Sequence, residues 1–173
     1  MRLLKSTVHP SLKSCDQSSF LRLATRSIIL KGDDILMLYT QRYDDYTLPG
    51  GGIDDGEDQI QGLKRELEEE TGALNIRNIK AYGLYEEFRP WYKDDFDIMH
   101  MKSYCYTCEI DEQLGETNLE DYEIKNGMKA VWINVYDAIE HNLDTIKNSD
   151  KKGMSIERET FLLELIRDEL LAE

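Results

Sequence analysis

The sequence predicts an α/β protein in which short strands are combined with a few amphipathic helices. Apolar runs of strand length lie before and after an acidic segment with helical periodicity. Glycine-containing turns separate these runs, and a second amphipathic helical segment lies near the end of the chain. A length of 173 residues is enough for one domain with a proper core. We therefore expect one α/β domain.

Three strands are predicted before the acidic helix. Residues 20–30 and 35–39 are rich in apolar side chains and flank a turn with a glycine and two aspartates, so we expect a hairpin. A short strand at 46–48 leads into a glycine-rich turn. Residues 1–18 are mixed and polar, and we expect an N-terminal extension or edge strand there, with the main domain at 19–173.

Strands and helices alternate less regularly in the second half of the chain. Two β-rich stretches are followed by a long acidic connection, a further strand, a short helix, a polar linker and a long amphipathic helix. The β-rich stretches are expected at residues 76–88 and 96–110, and the acidic connection at 111–128. The further strand is expected at 130–134, the short helix at 135–141, the linker at 144–153 and the long helix at 155–171.

The segment 48–74, LPGGGIDDGEDQIQGLKRELEEETGAL, combines the glycine-rich turn with the acidic helix. We expect Asp54 or Asp55 to cap the N-terminus of this helix and Gly72 to end it. At 100° per residue, four apolar residues share one face that a core would bury. These residues are Ile60, Leu63, Leu67 and Leu74.

Three glutamates share a sector of the same helix beside the apolar face. Glu66, Glu69 and Glu70 fall in this sector, whereas Glu68 points away. Gly62 lies in the same sector, and we expect its missing side chain to leave room for a ligand. Oxygen ligands at this density suit Mg²⁺ or Mn²⁺. The alternative is an ordinary acidic helix face in contact with solvent.

The spacing of the fixed residues is more specific than the glutamates alone. Gly51 is followed after five residues by Glu57, and seven residues later the chain has RELEEETG at 65–72. This resembles the signature of the Nudix hydrolase family, Gly-x5-Glu-x7-Arg-Glu-U-x-Glu-Glu-x-Gly-U, where U is a bulky aliphatic residue. Only the last position departs from it, with Ala73, and we expect Leu74 to supply the apolar contact.

The resemblance implies the Nudix fold, a mixed β-sheet sandwiched between α-helices. It also implies hydrolysis of the pyrophosphate bond in a nucleoside diphosphate linked to another moiety, such as ADP-ribose, a nucleotide sugar or a nucleoside triphosphate. A divalent cation, Mg²⁺ or Mn²⁺, would neutralise the phosphate charge and make an attacking water more acidic.

The resemblance assigns roles to individual residues of the helix and turn. The implied metal ligands are Glu66, Glu69, Glu70 and a backbone group of Gly50. Arg65 is implied to orient a catalytic carboxylate, and Gly51 and Glu57 to support the site. The base that activates water stays open between Glu66 or Glu69 and a glutamate of the late loop, where Glu120 and Glu123 are the candidates.

An aromatic segment after the acidic helix is a candidate for substrate contact. Phe88, Arg89 and Trp91 lie on or beside one loop and could stack on a base. Ordinary packing is the alternative for each of them.

Composition limits the partners of the protein. Asp and Glu total 35 against 21 Lys and Arg, which gives a formal net charge of −14. Such a surface disfavours nucleic acid and anionic membranes. The resemblance to the Nudix family implies a small-molecule nucleotide as the substrate. The acidic surface also repels a phosphate substrate, which makes the cation necessary for binding.

The cysteines and the apolar runs point to the cytoplasm. Cys15, Cys105 and Cys108 form no set of pairs, which favours a reducing compartment. Cys105 and Cys108 form a C-x-x-C, but in a strand this spacing places them on opposite faces. No apolar run approaches the roughly 18 residues of a membrane span, and the N-terminus has no apolar segment suited to a signal peptide.

Other functions stay open at this point. A Nudix-fold sensor or regulator would bind a nucleotide without cleaving it, although the intact signature disfavours this. Calcium-binding and dinucleotide-binding loops lack their required residues here. Hydrolysis of RNA caps or nucleoside triphosphates is a further alternative within the family. The sequence does not determine the oligomeric state, and a homodimer stays open because dimers are common among similar proteins.

Overall fold

The computed structural model describes residues 1–14 and 16–171, so the prediction that Cys15 is unpaired lies outside the described residues. In this part of the chain there are nine strands: β1 (Leu3–Val8), β2 (Ser19–Ile28), β3 (Leu30–Lys31), β4 (Asp34–Thr40), β5 (Asp45–Thr47), β6 (Gly50–Gly52), β7 (Arg77–Pro90), β8 (Ile98–Glu109) and β9 (Met128–Asn134). The helices are α1 (Gln59–Thr71), α2 (Asp121–Lys125), α3 (Val135–Asn148) and α4 (Ile156–Ile166), and a π-helical turn (Arg167–Leu171) follows α4.

The strands form two sheets. The first has the order β1-β7-β8-β2-β6 and is mixed, because β1 with β7 and β2 with β8 are parallel while the other pairs are antiparallel. The second sheet is antiparallel, with β4 paired to β9 over its whole length and also to β3 and β5. The predicted α/β class with a mixed sheet is therefore confirmed.

Helices cover the core from two sides. On β4, Ile35 and Met37 pack in a cluster with residues of α3 and α4. Leu36, which points the opposite way, packs in a second cluster with Leu67 of α1. Alternate side chains of one buried strand thus contact helices on either side, as expected where both faces of a sheet are covered.

The predicted hairpin is much shorter than expected. Only Leu30 and Lys31 pair with the start of β4, at Ile35 and Asp34. β2 instead enters the mixed sheet and pairs with β8 over ten residues, from Ser19 to Ile28. Local sequence cannot reveal this pairing, because it joins strands far apart along the chain.

The start of the acidic helix was predicted too early. Asp58, and not Asp54 or Asp55, is the N-cap: its carboxylate accepts from the Gln61 amide at 2.8 Å, and the Gln61 side chain accepts from the Asp58 amide at 2.9 Å. The predicted end is confirmed, since Gly72 has φ 72° in the left-handed region.

The apolar contact at the end of the signature is made by Ala73 and not by Leu74. Ala73 is buried in the second cluster, whereas Leu74 is 46 % exposed. Leu63 and Leu67 are fully buried as predicted. The small Ala73 side chain fits because Ile29 and Cys108 fill the surrounding space.

The linker predicted at residues 144–153 is wrong in its first half, because α3 continues to Asn148. Polar side chains of this helix are buried against the backbone of β5 and the residue before it. The Asn142 amide group donates to the Tyr46 carbonyl and accepts from its N–H, and the Thr145 hydroxyl donates to the Asp44 carbonyl. The polar side chains of this segment therefore indicated a linker, although several of them lie on a buried face of α3.

Three further features complete the fold. β1 is an edge strand of the mixed sheet.

Cys105 and Cys108 are both buried and free, and they belong to different clusters, which confirms that they face opposite sides of β8. Within residues 1–14 and 16–171, every helix is too short or too polar to cross a membrane.

Candidate active site

Three glutamates from two separate parts of the chain meet beside the glycine-rich turn. Glu66 and Glu70 lie one turn apart on α1, and Glu123 comes from α2. One carboxylate oxygen of each lies within 4.8 Å of the others. Glu70 and Glu123 are only 3 % and 4 % exposed. The fold thus joins two predicted helix ligands with one of the two loop candidates, and we call these three residues the acidic trio.

The glycine-rich turn shapes the trio through its backbone. The Gly50 amide donates to Glu70 Oε2 at 2.7 Å, so this predicted metal-site residue holds a carboxylate in place. A Cβ atom on Gly51 would lie 2.6 Å from Glu66 Oε1. Glycine is therefore required at position 51 for Glu66 to lie against the turn.

The carboxylates of the trio are destabilised in their charged form. Burial raises the pKa of Glu66, Glu70 and Glu123. Repulsion between neighbours adds to this, since Glu66 and Glu123 both raise the pKa of Glu70 further. A divalent cation would relieve the repulsion, and a donor set made only of oxygen fits Mg²⁺ or Mn²⁺.

Arg65 connects the trio to the segment before α1. Its Nε and Nη2 donate to the two oxygens of Glu57 at 2.8 and 3.0 Å. Nη1 donates to Glu66 Oε1 at 3.0 Å, and Nη2 also donates to the Gly52 carbonyl. These bonds fix the Glu66 side chain, and the guanidinium lowers the pKa of Glu57.

The space above Gly62 is filled by Glu57 and is not open to a ligand, contrary to expectation. A Cβ on Gly62 would lie 2.9 Å from Glu57 Oε1 and 3.4 Å from the Ile53 side chain. The missing side chain therefore allows Glu57 to reach Arg65.

Glu69 and Glu120 lie at the border of the trio. Glu69 is 30 % exposed and lies 3.4 Å from Arg65 Nη1, and its charge raises the pKa of both Glu66 and Glu123. Glu120 is exposed and lines the same surface groove as Glu69. Its backbone amide donates to Glu123 Oε2 at 2.7 Å, which holds Glu123 toward the trio.

Glu70 and Glu123 of the trio line a cleft of about 520 Å³. Glu70, Glu123 and the glycine-rich turn form one wall. Although the protein as a whole is strongly acidic, four arginines also line this cleft: Arg22, Arg26, Arg89 and Arg158. The cleft therefore presents a site for cations next to a surface for anions.

Two of these arginines project from the same face of β2. Arg22 and Arg26 are four residues apart, so both lie on one side of the strand. Arg26 is in register with Gly50. Its Nε has no hydrogen-bond partner among the residues that the structure describes, and burial lowers its pKa. A guanidinium in this state is well suited to bind an anion that enters the cleft.

The other two arginines lie near buried carboxylates. Arg158 is 3 % exposed and donates to Glu87 at 2.8 Å and to Glu159 at 2.9 Å. Glu159 also accepts from the Leu48 amide. Arg89 lies 3.8 Å from Glu87, and burial lowers its pKa to about 10. This network fixes the floor of the cleft.

Asp45 adds a buried carboxyl group to the cleft. It is 2 % exposed, and its Oδ1 has no hydrogen-bond partner within the described ranges. Burial raises its pKa to about 7, and the nearby Glu159 carboxylate contributes. At neutral pH the group can therefore donate as well as accept a hydrogen bond.

Of the three residues predicted to contact a base, only Arg89 lines the cleft. Phe88 stacks on His100 with ring centroids 4.1 Å apart. Trp91 packs on Phe20, and its indole N–H donates to Asp95 at 3.0 Å. Both aromatic residues thus have packing partners away from the trio.

Sequence reasoning missed most of the cationic surface. The spacing of Arg22 and Arg26, with Ala24 between them, was a usable signal, because alternate strand residues share a face. Arg158 and Asp45 carry no comparable local signal. Their positions depend on how α4 and β5 pack in the folded chain.

A family model described as the NUDIX domain matches residues 21–154 of this chain. A search of curated proteins found two relatives named RNA pyrophosphohydrolase. The protein from Bartonella quintana (strain Toulouse) is 46 % identical over 51 residues, which cover 30 % of this chain and 26 % of the relative. The protein from Bartonella henselae (strain ATCC 49882 / DSM 28221 / CCUG 30454 / Houston 1) is 40 % identical over 57 residues, covering 33 % and 30 %. The matches therefore span less than a third of either relative.

Among solved structures, the crystal structure of a MutT NUDIX hydrolase from Burkholderia pseudomallei is similar to this fold. The TM-score is 0.51 at 17 % sequence identity, and the match covers 68 % of this chain and 85 % of the other. At this identity, the likeness concerns the fold alone.

Proposed function

The chain belongs to the NUDIX family, and from this premise we propose that it is a metal-dependent hydrolase of a small nucleotide derivative. The bond cleaved is a pyrophosphate bond in a nucleoside diphosphate linked to another moiety. We include in the proposal that it works in a reducing compartment such as the cytoplasm, since the two described cysteines are free.

One observation carries this proposal. Two residues of the acidic trio, Glu70 and Glu123, line the same cleft of about 520 Å³ as the four arginines, and Glu66 lies beside them. A pyrophosphate with a divalent cation needs both kinds of group, because oxygen ligands bind the cation and guanidinium groups bind the remaining phosphate charge. Neither a solvated acidic helix nor a simple anion site explains the two together.

Glu66, Glu70 and Glu123 are the residues that would hold the cation. When bound, Mg²⁺ or Mn²⁺ would neutralise charge on the phosphate oxygens and lower the pKa of an attacking water. The resemblance of the signature to other family members also implies Glu69 as a ligand. Its place at the border of the trio allows this if its side chain rotates away from Arg65.

The remaining residues have separate tasks. We assign the removal of a proton from water to Glu69, because it is the partly exposed carboxylate next to the trio. Arg65 and Glu57 fix Glu66 in position. Arg26 and Arg89 lie where they can bind the phosphate groups and hold them in line for attack.

A second candidate is removal of pyrophosphate from the 5′ end of an RNA. The names of the two Bartonella relatives favour it. The net charge of −14 disfavours it, because a long RNA needs a cationic surface beyond the cleft.

The test is a substrate panel with Mg²⁺, with Mn²⁺ and with chelator. The panel contains ADP-ribose, nucleotide sugars, dinucleoside polyphosphates, NADH, coenzyme A, nucleoside triphosphates and a 5′-triphosphorylated RNA. We expect metal-dependent phosphate-ester formation from a small nucleotide, and its loss in Glu66→Gln. Cleavage of RNA alone would favour the second candidate. Binding without cleavage would contradict both and favour a nucleotide sensor.

A further inference from the structure

A second chamber of about 300 Å³ adjoins the cleft on the side of β1. Its walls come from β1, the residues after it, β7 and the start of α4, and they include Thr7, His9 and Tyr85. Three residues line both cavities: Arg89, Met154 and Arg158. Residues of β1 therefore form a wall of a space next to the active-site cleft, although β1 lies outside the matched residues 21–154.

The cleft and the chamber lie on one face of the mixed sheet. Arg22 of β2 is in register with Met101 of β8, Met101 with Glu87 of β7, and Glu87 with Thr7 of β1. Side chains at paired positions point to the same face. From Arg22 to Thr7 this row crosses three strand spacings, which is about 14 Å at ~4.8 Å each.

The lining of the chamber suits a nucleoside. Tyr85 and Met154 supply apolar surface, while Thr7 and His9 supply polar groups. Lys5 and Arg89 add positive charge to the lining. Two carboxylates also line the chamber: Glu87 is paired with Arg158, and Glu157 is exposed to solvent. Apolar walls with a few polar groups are typical of small-molecule sites.

We propose that the chamber binds the second nucleoside of a dinucleoside polyphosphate whose phosphate chain lies in the cleft. This inference rests on the proposed function and names its substrate class. The phosphate chain would pass Arg26 and Arg89, and the far nucleoside would lie over the shared face of β1 and the end of β7. A compound with one nucleoside leaves the chamber empty.

Two tryptophan variants on β1 test the proposal. Thr7→Trp fills the chamber, whereas Ser6→Trp adds the same side chain on the opposite face of the strand, where Ser6 is exposed. Each variant is compared with the wild type on ATP and on diadenosine tetraphosphate, which share the same base. The measured quantity is the ratio of kcat/KM for diadenosine tetraphosphate to that for ATP.

We expect Thr7→Trp to lower this ratio at least tenfold, mainly through KM for the dinucleotide. Ser6→Trp should leave the ratio within twofold of the wild type. Dissociation constants are measured by calorimetry with each tryptophan substitution combined with Glu69→Gln, so that turnover does not interfere. Thr7→Trp should again weaken the binding of diadenosine tetraphosphate, and Ser6→Trp should not. Thermal unfolding of both variants shows whether the fold is retained.

An equal effect of the two variants, or no effect of Thr7→Trp, overturns the chamber as a nucleoside site. Wild-type protein that cleaves ATP but neither cleaves nor binds diadenosine tetraphosphate also overturns it, while the proposed hydrolase function stands. If no compound of the larger panel is cleaved with either metal, the hydrolase proposal itself fails. If diadenosine tetraphosphate is then not bound either, the chamber inference fails with it.

Discussion

Arg65 and Glu57 form a two-pronged hydrogen bond, with nitrogen–oxygen distances of 2.8 and 3.0 Å. Seven residues lie between them, and Glu57 precedes the N-cap of the helix that carries Arg65. The pair ties the glycine-rich turn to α1. Because Arg65 also bonds to Glu66, the geometry of the trio depends on this pair.

Arg65→Lys should lower kcat about 10- to 100-fold, because lysine keeps the charge but cannot hold Glu57 and Glu66 in a planar fork. Steady-state kinetics with saturating Mg²⁺ would measure this. Arg77→Lys, at an exposed arginine that pairs with Asp111, is the control and should have no effect on kcat. Full activity of Arg65→Lys would show that the paired hydrogen bonds of the guanidinium group are not needed for catalysis.

Glu69→Gln should reduce kcat by roughly 100- to 10,000-fold while the fold is retained, because the amide cannot accept the proton of an attacking water. Glu68→Gln, on the exposed side of the same helix, should keep wild-type activity. Kinetics and circular dichroism of the two variants provide the comparison. An active Glu69→Gln variant would exclude Glu69 as the base and shift attention to Glu66 or Glu123.

Glu70→Gln should have opposite effects on stability with and without metal. In chelator its Tm should equal or exceed that of the wild type, because one of three crowded buried charges is removed. With Mg²⁺ at about 100 times its Kd, the wild type gains about 2.7 kcal/mol and the variant should gain much less. A variant that gains as much stability from Mg²⁺ as the wild type would contradict the assignment of the trio.

Asp45→Asn should stabilise the metal-free protein at high pH only. Burial raises the pKa of Asp45 from 3.8 to about 7 in the folded state. The stability that the protonated Asp45 carboxyl group contributes is therefore fully present below pH 4. It is lost as the pH rises through about 7, where the buried group becomes charged. A difference of this size corresponds to on the order of 4 kcal/mol. At pH 8 the variant should thus be more stable than the wild type, and below pH 4 the two should be similar.

The neighbouring Asp44 offers a control of opposite sign for this pH profile. Hydrogen bonding from Tyr39 lowers the pKa of Asp44. Its contribution is present above the unfolded pKa and disappears as the pH falls through the lower folded value. Asp44→Asn should therefore destabilise at pH 8. Chemical denaturation from pH 3.5 to 8 would measure both profiles, and parallel curves for the two variants would refute this account of Asp45.

The arginines of the cleft should separate binding from stability. Arg26→Met should raise KM about tenfold without lowering Tm. Arg26 Nε has no hydrogen-bond partner among the described residues, so the substitution breaks no hydrogen bond of this atom. Arg158→Met should lower the free energy of unfolding by about 3–5 kcal/mol, because Glu87 and Glu159 lose their buried partner. Kinetics and denaturation of both variants test this, and a large loss of stability in Arg26→Met would count against its role as a free anion site.

The sequence alone was sufficient for the features that depend on neighbouring residues. The end of α1 at Gly72, the burial of Leu63 and Leu67, and the shared sector of Glu66 and Glu70 follow from helical geometry within one segment. The α/β class follows from the order of such segments. Errors occurred where alternatives were locally similar, as with Asp58 against Asp54 or Asp55 for the N-cap.

The tertiary structure decided everything that joins distant segments. In the folded chain Glu123, and not Glu120, belongs to the trio. β2 pairs with β8 instead of forming the expected hairpin, and Arg158 and Asp45 line the cleft. β1 also lies beside the cleft. The physical reason is that a helix or turn is fixed by contacts within a few residues, whereas a cleft is fixed by the packing of whole sheets and helices. Such packing depends on shape and burial across the entire chain, and no local pattern encodes it.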